Sequence, residues 1–371
     1  MQEKLDLSNC KTNKEVCELV SARVRSVNFE TFLAAVQSSF VYQREAAIAI
    51  YTGLLHNKNV LLSGKGGYGK SNLIRFTLDY FGIPYTVVPG YKDMPVDALL
   101  GLPDMKKLLE DSSYMIRFEE SVFYKPGVLV GEEFTDILPS TAAALKEILT
   151  SKGFHTKNGK IESLISTMIV AGNRAAADIA DDDSKKAFYL ERFPIQTRVE
   201  WQSHTKEDYM KFLKLKFPST DVKALSFLSY LFEYNHMECN NTISPRVAQD
   251  IADVYLRDGI EFISNFSIDL SNIQAIRDKS KEEILLATAK EAFKTVKDLI
   301  DSQNSIEKKV CLAVLAKKAI VDLKVGNNSN ALTINRFIVE LNSLIDSYCN
   351  QTTPDIVAIV QAINSISRDE N

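Results

Sequence analysis

The order of polar and apolar residues divides this chain into a helical opening, an alternating middle and a helical end. Over residues 13–27, Val16, Leu19, Val20 and Val24 recur at helical spacing, and a second helix is predicted over 30–38. A third, over 43–55, turns Ala46, Ala47, Ile50, Tyr51 and Leu54 toward a core and stops at His56-Asn57-Lys58. The pattern then changes to short unbroken apolar runs separated by helices. Val60-Leu61-Leu62, Tyr85-Thr86-Val87-Val88 after the stop Gly82-Ile83-Pro84, Gly127-Val128-Leu129-Val130, and residues 166–173, ending in the polar amide Asn173, read as strands. Between them fall helices over 71–81 and 139–149, the second with Pro139 in its first turn.

Two stretches in this middle part predict hairpins. Residues 114–123 alternate partly with strand period, and Asn158-Gly159 is the strongest short hairpin signal in the chain. Beyond residue 204 strand-like runs cease. Helices are predicted over 206–216, 222–234, 247–259, 281–301, 306–323, 334–349 and 354–366, and Phe337, Leu341, Leu344, Ile345 and Tyr348 form one apolar stripe, the mark of packing. Helix and strand runs that alternate and then give way to helices alone predict an α/β fold followed by helical segments.

One segment carries the chemistry. Residues 64–71, Gly-Lys-Gly-Gly-Tyr-Gly-Lys-Ser, fit the spacing of a phosphate-binding loop, with an apolar strand before and an amphipathic helix after. A phosphate chain must be wrapped by backbone N–H groups, and Gly64, Gly66, Gly67 and Gly69 let the main chain come that close. The helix that follows points its positive end at the phosphates, Lys70 neutralises their oxygens, and the Ser71 hydroxyl is a candidate Mg²⁺ ligand.

Glu132-Glu133 ends a strand on the side of the sheet where this loop would also lie. Alone, such a pair is more often a solvated surface feature; beside a phosphate loop it can hold Mg²⁺ and orient an attacking water.

Composition narrows the class without naming it. The chain has 371 residues, 45% hydrophobic and 25% charged, as an ordinary globular protein of two or three domains does. A formal charge of −4 argues against a whole-molecule attraction to nucleic acid. Five scattered cysteines without a C-x-x-C pair fit free thiols in a reducing compartment, so a cytoplasmic location is expected. No apolar run approaches the ~18 residues of a membrane span, and no membrane role is expected.

Together these features resemble AAA+ ATPases of the MoxR family, in the group that also holds the McrB-type GTPases and MCM helicases. Gly64–Ser71 matches the family's Walker A loop, Asp93–Gly101 resembles its "DLLPSDLTG" stretch, and Gly127–Leu145 aligns with its "GPLLADEINRAPPKTQAAL" stretch. The resemblance spans about residues 43–260. It implies a P-loop AAA+ core with a parallel sheet over 39–203 after an N-terminal helical segment (1–38), a helical lid over 204–268 and a helical extension over 269–371.

It also assigns roles. ATP would lie on Gly64, Lys65, Gly66, Gly67, Tyr68, Gly69, Lys70 and Ser71; Ser71 and Glu132 would hold Mg²⁺; Glu133 would polarise water with help from Asn173. Arg192 of the Leu190-Glu191-Arg192-Phe193 run would act as an arginine finger on a neighbouring subunit's ATP, and Arg246 of Ser244-Pro245-Arg246 would be the sensor-2 arginine. A homo-oligomeric ring, usually a hexamer, follows, because each site borrows a residue from next door.

The sequence departs from the family at Glu132, where an aspartate is usual, and at Thr135 and Asp136, which replace an Asn-Arg pair. By resemblance, residues 114–123 would be the helix-2 insert and Lys157 and Lys160 would flank the tip of a pore-facing hairpin. The expected function is an ATP-driven remodeller of a protein client, with a von Willebrand A-domain protein as a candidate partner. The alternatives are a nucleic-acid-stimulated translocase of the McrB or MCM type and a nucleotide-gated scaffold with weak hydrolysis.

Overall fold

The computed structural model describes residues 2–101, 121–156, 159–179, 183–322 and 330–351. The chain forms two compact units, Met1–Pro218 with Thr242–Ile263, and Ser219–Asn241 with Ser264–Asn371. Most of the expected insert over 114–123, the hairpin tip at Lys157-Asn158 and the helix over 354–366 lie outside the described residues.

The first unit opens with α1 (Asn13–Arg25), α2 (Phe29–Gln37) and α3 (Arg44–His56). Thr12 and Glu15 form a reciprocal capping box that starts α1 one residue after Thr12, satisfying N–H groups that have no partner within the helix. The central sheet is parallel, in the order β2-β3-β6-β1-β7, from β1 (Val60–Ser63), β2 (Tyr85–Pro89), β3 (Gly127–Glu132), β6 (Ile165–Gly172) and β7 (Ile195–Arg198). Every residue of β1 and of β6 is buried, which is why these strands read as unbroken apolar runs.

Helices cover both faces. Leu61, Leu129, Met168 and Val170 bury one face against Leu145 and Ile148 of the helix Pro139–Ser151 and against Phe188 and Tyr189 of the helix Asp183–Arg192. On the other, α1 and α3 pack against β6 with α4 (Lys70–Phe81). With the short turn α5 (Asp97–Leu100) counted, those two helices are α6 and α7. The hairpin read from Asn158-Gly159 is present as β4 (Gly153–Thr156) antiparallel to β5 (Gly159–Glu162). In the same unit follow α8 (Lys206–Lys216) and, after the second unit's α9 (Val222–Met237), α10 (Pro245–Asp258) and α11 (Ile260–Ile263).

The described elements of the second unit are helices: α9 (Val222–Met237), α12 (Ile273–Asp301), α13 (Ile306–Asp322) and α14 (Asn330–Cys349). Ser280 donates to Ser226 at 3.0 Å, and the Arg277 guanidinium lies 5.6 Å from the centre of the Phe227 ring, joining α12 to α9. Leu341 and Ile345 of the apolar stripe are buried, and Ile345 packs with Ile300, Val310, Ala313 and Val314. Among the described residues no helix is long and apolar enough to cross a membrane.

Candidate functional site: a glycine cradle at the ends of the parallel strands

The chain leaves β1 at Ser63 and turns through three left-handed glycines, Gly64 (φ 137°), Gly67 (φ 87°) and Gly69 (φ 81°), before α4 begins at Lys70. At Gly64 a Cβ would sit 2.3 Å from the Val199 carbonyl oxygen, and at Gly67 it would sit 2.7 Å from Ser244 Oγ. Both positions therefore exclude a side chain on two counts, conformation and space. Gly66 does not share the positive φ, and a Cβ there would meet nothing.

The start of α10 closes on this loop. Ser244 caps the helix by accepting from Val247 N at 3.4 Å, Pro245 takes the first position where no N–H is needed, and Arg246 N donates to Gly67 O at 3.2 Å. The N–H that a helix leaves unpaired in its first turn is thus spent on the loop, and Arg246 is carried to the cavity.

That cavity, about 220 Å³, is lined on one side by residues 66–72, with Glu133, Gly172, Asn173 and Arg246 beside them. Phe40, Val41, Trp201, Phe212 and Leu215 add apolar surface elsewhere in the lining, beside Ser39, Gln43, Lys216 and Gln249.

Lys70 is the charge at its centre. The side chain is 8% exposed and its Nζ donates to Gly64 O at 2.6 Å and Lys65 O at 2.8 Å, two carbonyls of its own loop. Burial, and after it the nearby Arg246 cation, push its pKa down to about 8 against the pull of Glu133. A buried ammonium at the start of a helix, held only by two backbone carbonyls, suits an anion such as a polyphosphate.

Each predicted residue can now be placed. Lys65 is exposed on the loop and holds Lys70 through its carbonyl. Tyr68 is 5% exposed, lines the cavity, and shares a 2.7 Å hydrogen bond with His204 Nε2. Ser71 and Asn173 line the cavity, as does Glu133, which takes a left-handed turn conformation (φ 53°) directly after β3.

Glu132 is placed differently: the cavity lining includes Glu133 and not Glu132, and Glu132 Oε1 is paired with Arg75 Nη2 of α4 at 2.8 Å. Thr135 is fully buried against Gly172, where a Cβ would meet its Cγ2 at 2.3 Å, and Asp136 pairs with Arg174 at 3.4 Å.

Arg192 lies elsewhere. It ends α7, its Nη2 is 3.5 Å from Glu191 Oε2, and its carbonyl accepts from Asn59 Nδ2 at 2.9 Å. Asn59 precedes β1, so this contact sits at the amino end of the strand whose carboxyl end carries the loop. Arg192 is not among the residues lining the cavity.

Sequence reading missed the apolar wall and the polar residue Gln43. Gln43 is 7% exposed, and its Nε2 hydrogen-bonds the Tyr68 carbonyl, bracing the loop from α3's entry. The single tryptophan of the chain, Trp201, was the available signal: a large ring placed just after β7.

The oxygen donors Ser71, Glu132 and Glu133 are of the hard type that Mg²⁺ takes, and they fit it by chemistry. Among the described residues no group of three or more His, Cys, Asp or Glu could hold a metal ion unaided.

A five-stranded parallel sheet, a glycine cradle with a buried lysine, and helices on both faces make up a P-loop core of the AAA+ fold. Residues 59–187 match the family described as the AAA domain of the dynein-related subfamily. No curated protein is similar enough in sequence to count as a match.

Among solved structures, a RuvB variant from Thermotoga maritima is 14% identical, with 73% of this chain and 80% of that chain covered at a TM-score of 0.38. NtrX from Brucella abortus, in complex with ADP, is 14% identical, with 72% and 67% covered at a TM-score of 0.40. Neither is close enough to assign an activity.

Proposed function

We propose that this protein is a MoxR-like AAA+ ATPase that binds and hydrolyses ATP at the subunit junctions of a ring and uses the cycle to remodel a protein client. The observation that carries this reading is a division of the site. Lys70, Ser71, Glu133, Asn173 and Arg246 converge on one cavity, while Arg192 sits at the other end of the sheet. The Arg192 side chain, paired with Glu191 and outside the cavity lining, would serve a nucleotide by reaching one held in a neighbouring copy.

In this reading the backbone of 64–69 wraps the β-phosphate and Lys70 leaves its two carbonyls for phosphate oxygens. Mg²⁺, held by Ser71 and Glu132, would neutralise charge on the β- and γ-phosphates. Glu133 takes up a proton from the attacking water, Asn173 fixes that water's position, and Arg192 of the next subunit meets the charge that builds on the transferred phosphoryl group. Arg246, fixed to the loop through Gly67, reports the nucleotide's state to α10. The apolar walls Trp201, Phe212 and Val41 suit the face of a nucleobase. The client, with a von Willebrand A-domain protein as the partner to try first, would dock on the ring.

The test is a mixing experiment. Glu133→Gln and Arg192→Ala should each abolish ATP hydrolysis. Mixed one to one, they should recover about a quarter of the wild-type rate, because one junction in four then joins an intact glutamate to an intact arginine. No recovery, with both variants folded and assembled together, removes the shared site.

A further inference from the structure

We infer that Arg75 sets the Mg²⁺ requirement of this site by holding Glu132 away from the metal position. The inference rests on reading the cavity as a site for a nucleotide with its magnesium. Ser71 and Arg75 are four residues apart on α4 and so lie on one face of the helix, one turn from each other. Ser71 lines the cavity, whereas Arg75 Nη2 meets Glu132 Oε1 at 2.8 Å outside its lining.

The geometry of β3 explains why the carboxylate can reach that far. Glu132 is held in the sheet opposite Pro89 and Ala171, and its carbonyl accepts from Gly90 N at 2.6 Å, so its backbone is fixed and only the side chain can choose. An aspartate at this position would be shorter by one methylene, roughly 1.5 Å. The longer side chain extends to the guanidinium one turn along α4.

A cation entering beside Ser71 must therefore compete with a cation already in place. The Arg75 and Glu132 side chains are 45% and 23% exposed, so their pairing is weakened by water and can be broken by a divalent ion. Arg75 is thus a positioning residue that raises the Mg²⁺ concentration needed to fill the site. It makes occupancy of the site sensitive to free magnesium.

The experiment follows the binding of a fluorescent ATP analogue while Mg²⁺ is titrated, with hydrolysis not required. In Arg75→Met the half-saturating Mg²⁺ concentration should fall about threefold, the weight of a partly exposed ion pair. Glu132→Asp, too short to keep the pair, should shift it the same way, and Glu132→Gln should raise it. The double variant Arg75→Met/Glu132→Gln should match Glu132→Gln alone, because Arg75 acts only through that carboxylate.

An unchanged midpoint in Arg75→Met, or an equal drop when Glu132 is already glutamine, overturns the inference while leaving nucleotide binding intact. If the wild type binds no nucleotide at any Mg²⁺ concentration, the site reading itself falls and the inference with it.

Discussion

The two ends of the parallel sheet are made from the same strands and treat polar groups in opposite ways. At the amino end Asn59 is 7% exposed and closes its own account: Nδ2 donates to Arg192 O at 2.9 Å, and Oδ1 accepts from Met168 N at 2.9 Å. At the carboxyl end Lys70 is as deeply buried, yet it has only loop carbonyls for partners and a pKa pushed down to about 8. At the amino end Asn59 is satisfied and structural. At the other a buried charge rests on backbone carbonyls, with Glu133 as the nearby anion.

The contrast should separate sharply on mutation. Replacing Lys70 by alanine removes the one buried cation of the cradle, and nucleotide affinity measured by calorimetry should fall roughly 100-fold, the scale of a charge-assisted contact. Thermal stability should hold or rise, since a desolvated charge is removed with it. Affinity within a few-fold of wild type would mean that the phosphates lie elsewhere.

Asn59→Ala is the counterpart at the opposite end. It leaves the Met168 N–H buried without its acceptor, and urea denaturation should show a loss of about 1–3 kcal/mol. Nucleotide affinity of the folded protein should stay as in wild type. If instead the variant binds nucleotide poorly at full stability, the two ends are coupled and the division of labour proposed here is wrong.

The same contrast decides how much of the molecule could be read from its sequence. The loop 64–71 was legible because its chemistry is contiguous: glycines, lysine and serine do their work within eight residues of each other. Ser244 and Pro245 announced the helix start, whereas Arg246 was singled out only through the family resemblance. The apolar wall was not legible, because Phe40, Trp201 and Phe212 meet only after three separate segments have packed, and none carries a local signature.

Arg75 was hidden more thoroughly. A charged residue on an amphipathic helix reads as a solvated face, and only the register of β3 against β2 and β6 brings Glu132 within its reach. In the helical unit, α12 begins at Ile273, eight residues before the predicted start at 281. The run Arg277-Asp278-Lys279-Ser280 reads as polar, but Ser280 is buried on Ser226 and Arg277 covers Phe227, contacts that belong to another helix.

The smallest expected effect is a pH dependence, and its sign differs between binding and folding. In the free protein Lys70 loses its proton near pH 8, whereas nucleotide phosphates, with a second pKa near ~6, are fully ionised well below that. Only the protonated lysine attracts them, so affinity should be greatest below pH 8. Above it, affinity should weaken by up to about tenfold per pH unit until the pKa of the bound form is reached.

For the nucleotide-free fold the sign reverses. The unfolded chain binds the Lys70 proton up to its ordinary value of 10.5 while the folded state releases it near 8, so this group favours folding increasingly as pH rises through that window. Lys70→Arg keeps its charge throughout the range and should flatten the binding curve. Binding that stays level from pH 7 to 9 in the wild type would show that the cradle's charge is not set by Lys70. A curve that declines equally in Lys70→Arg would place the titrating group elsewhere in the cavity.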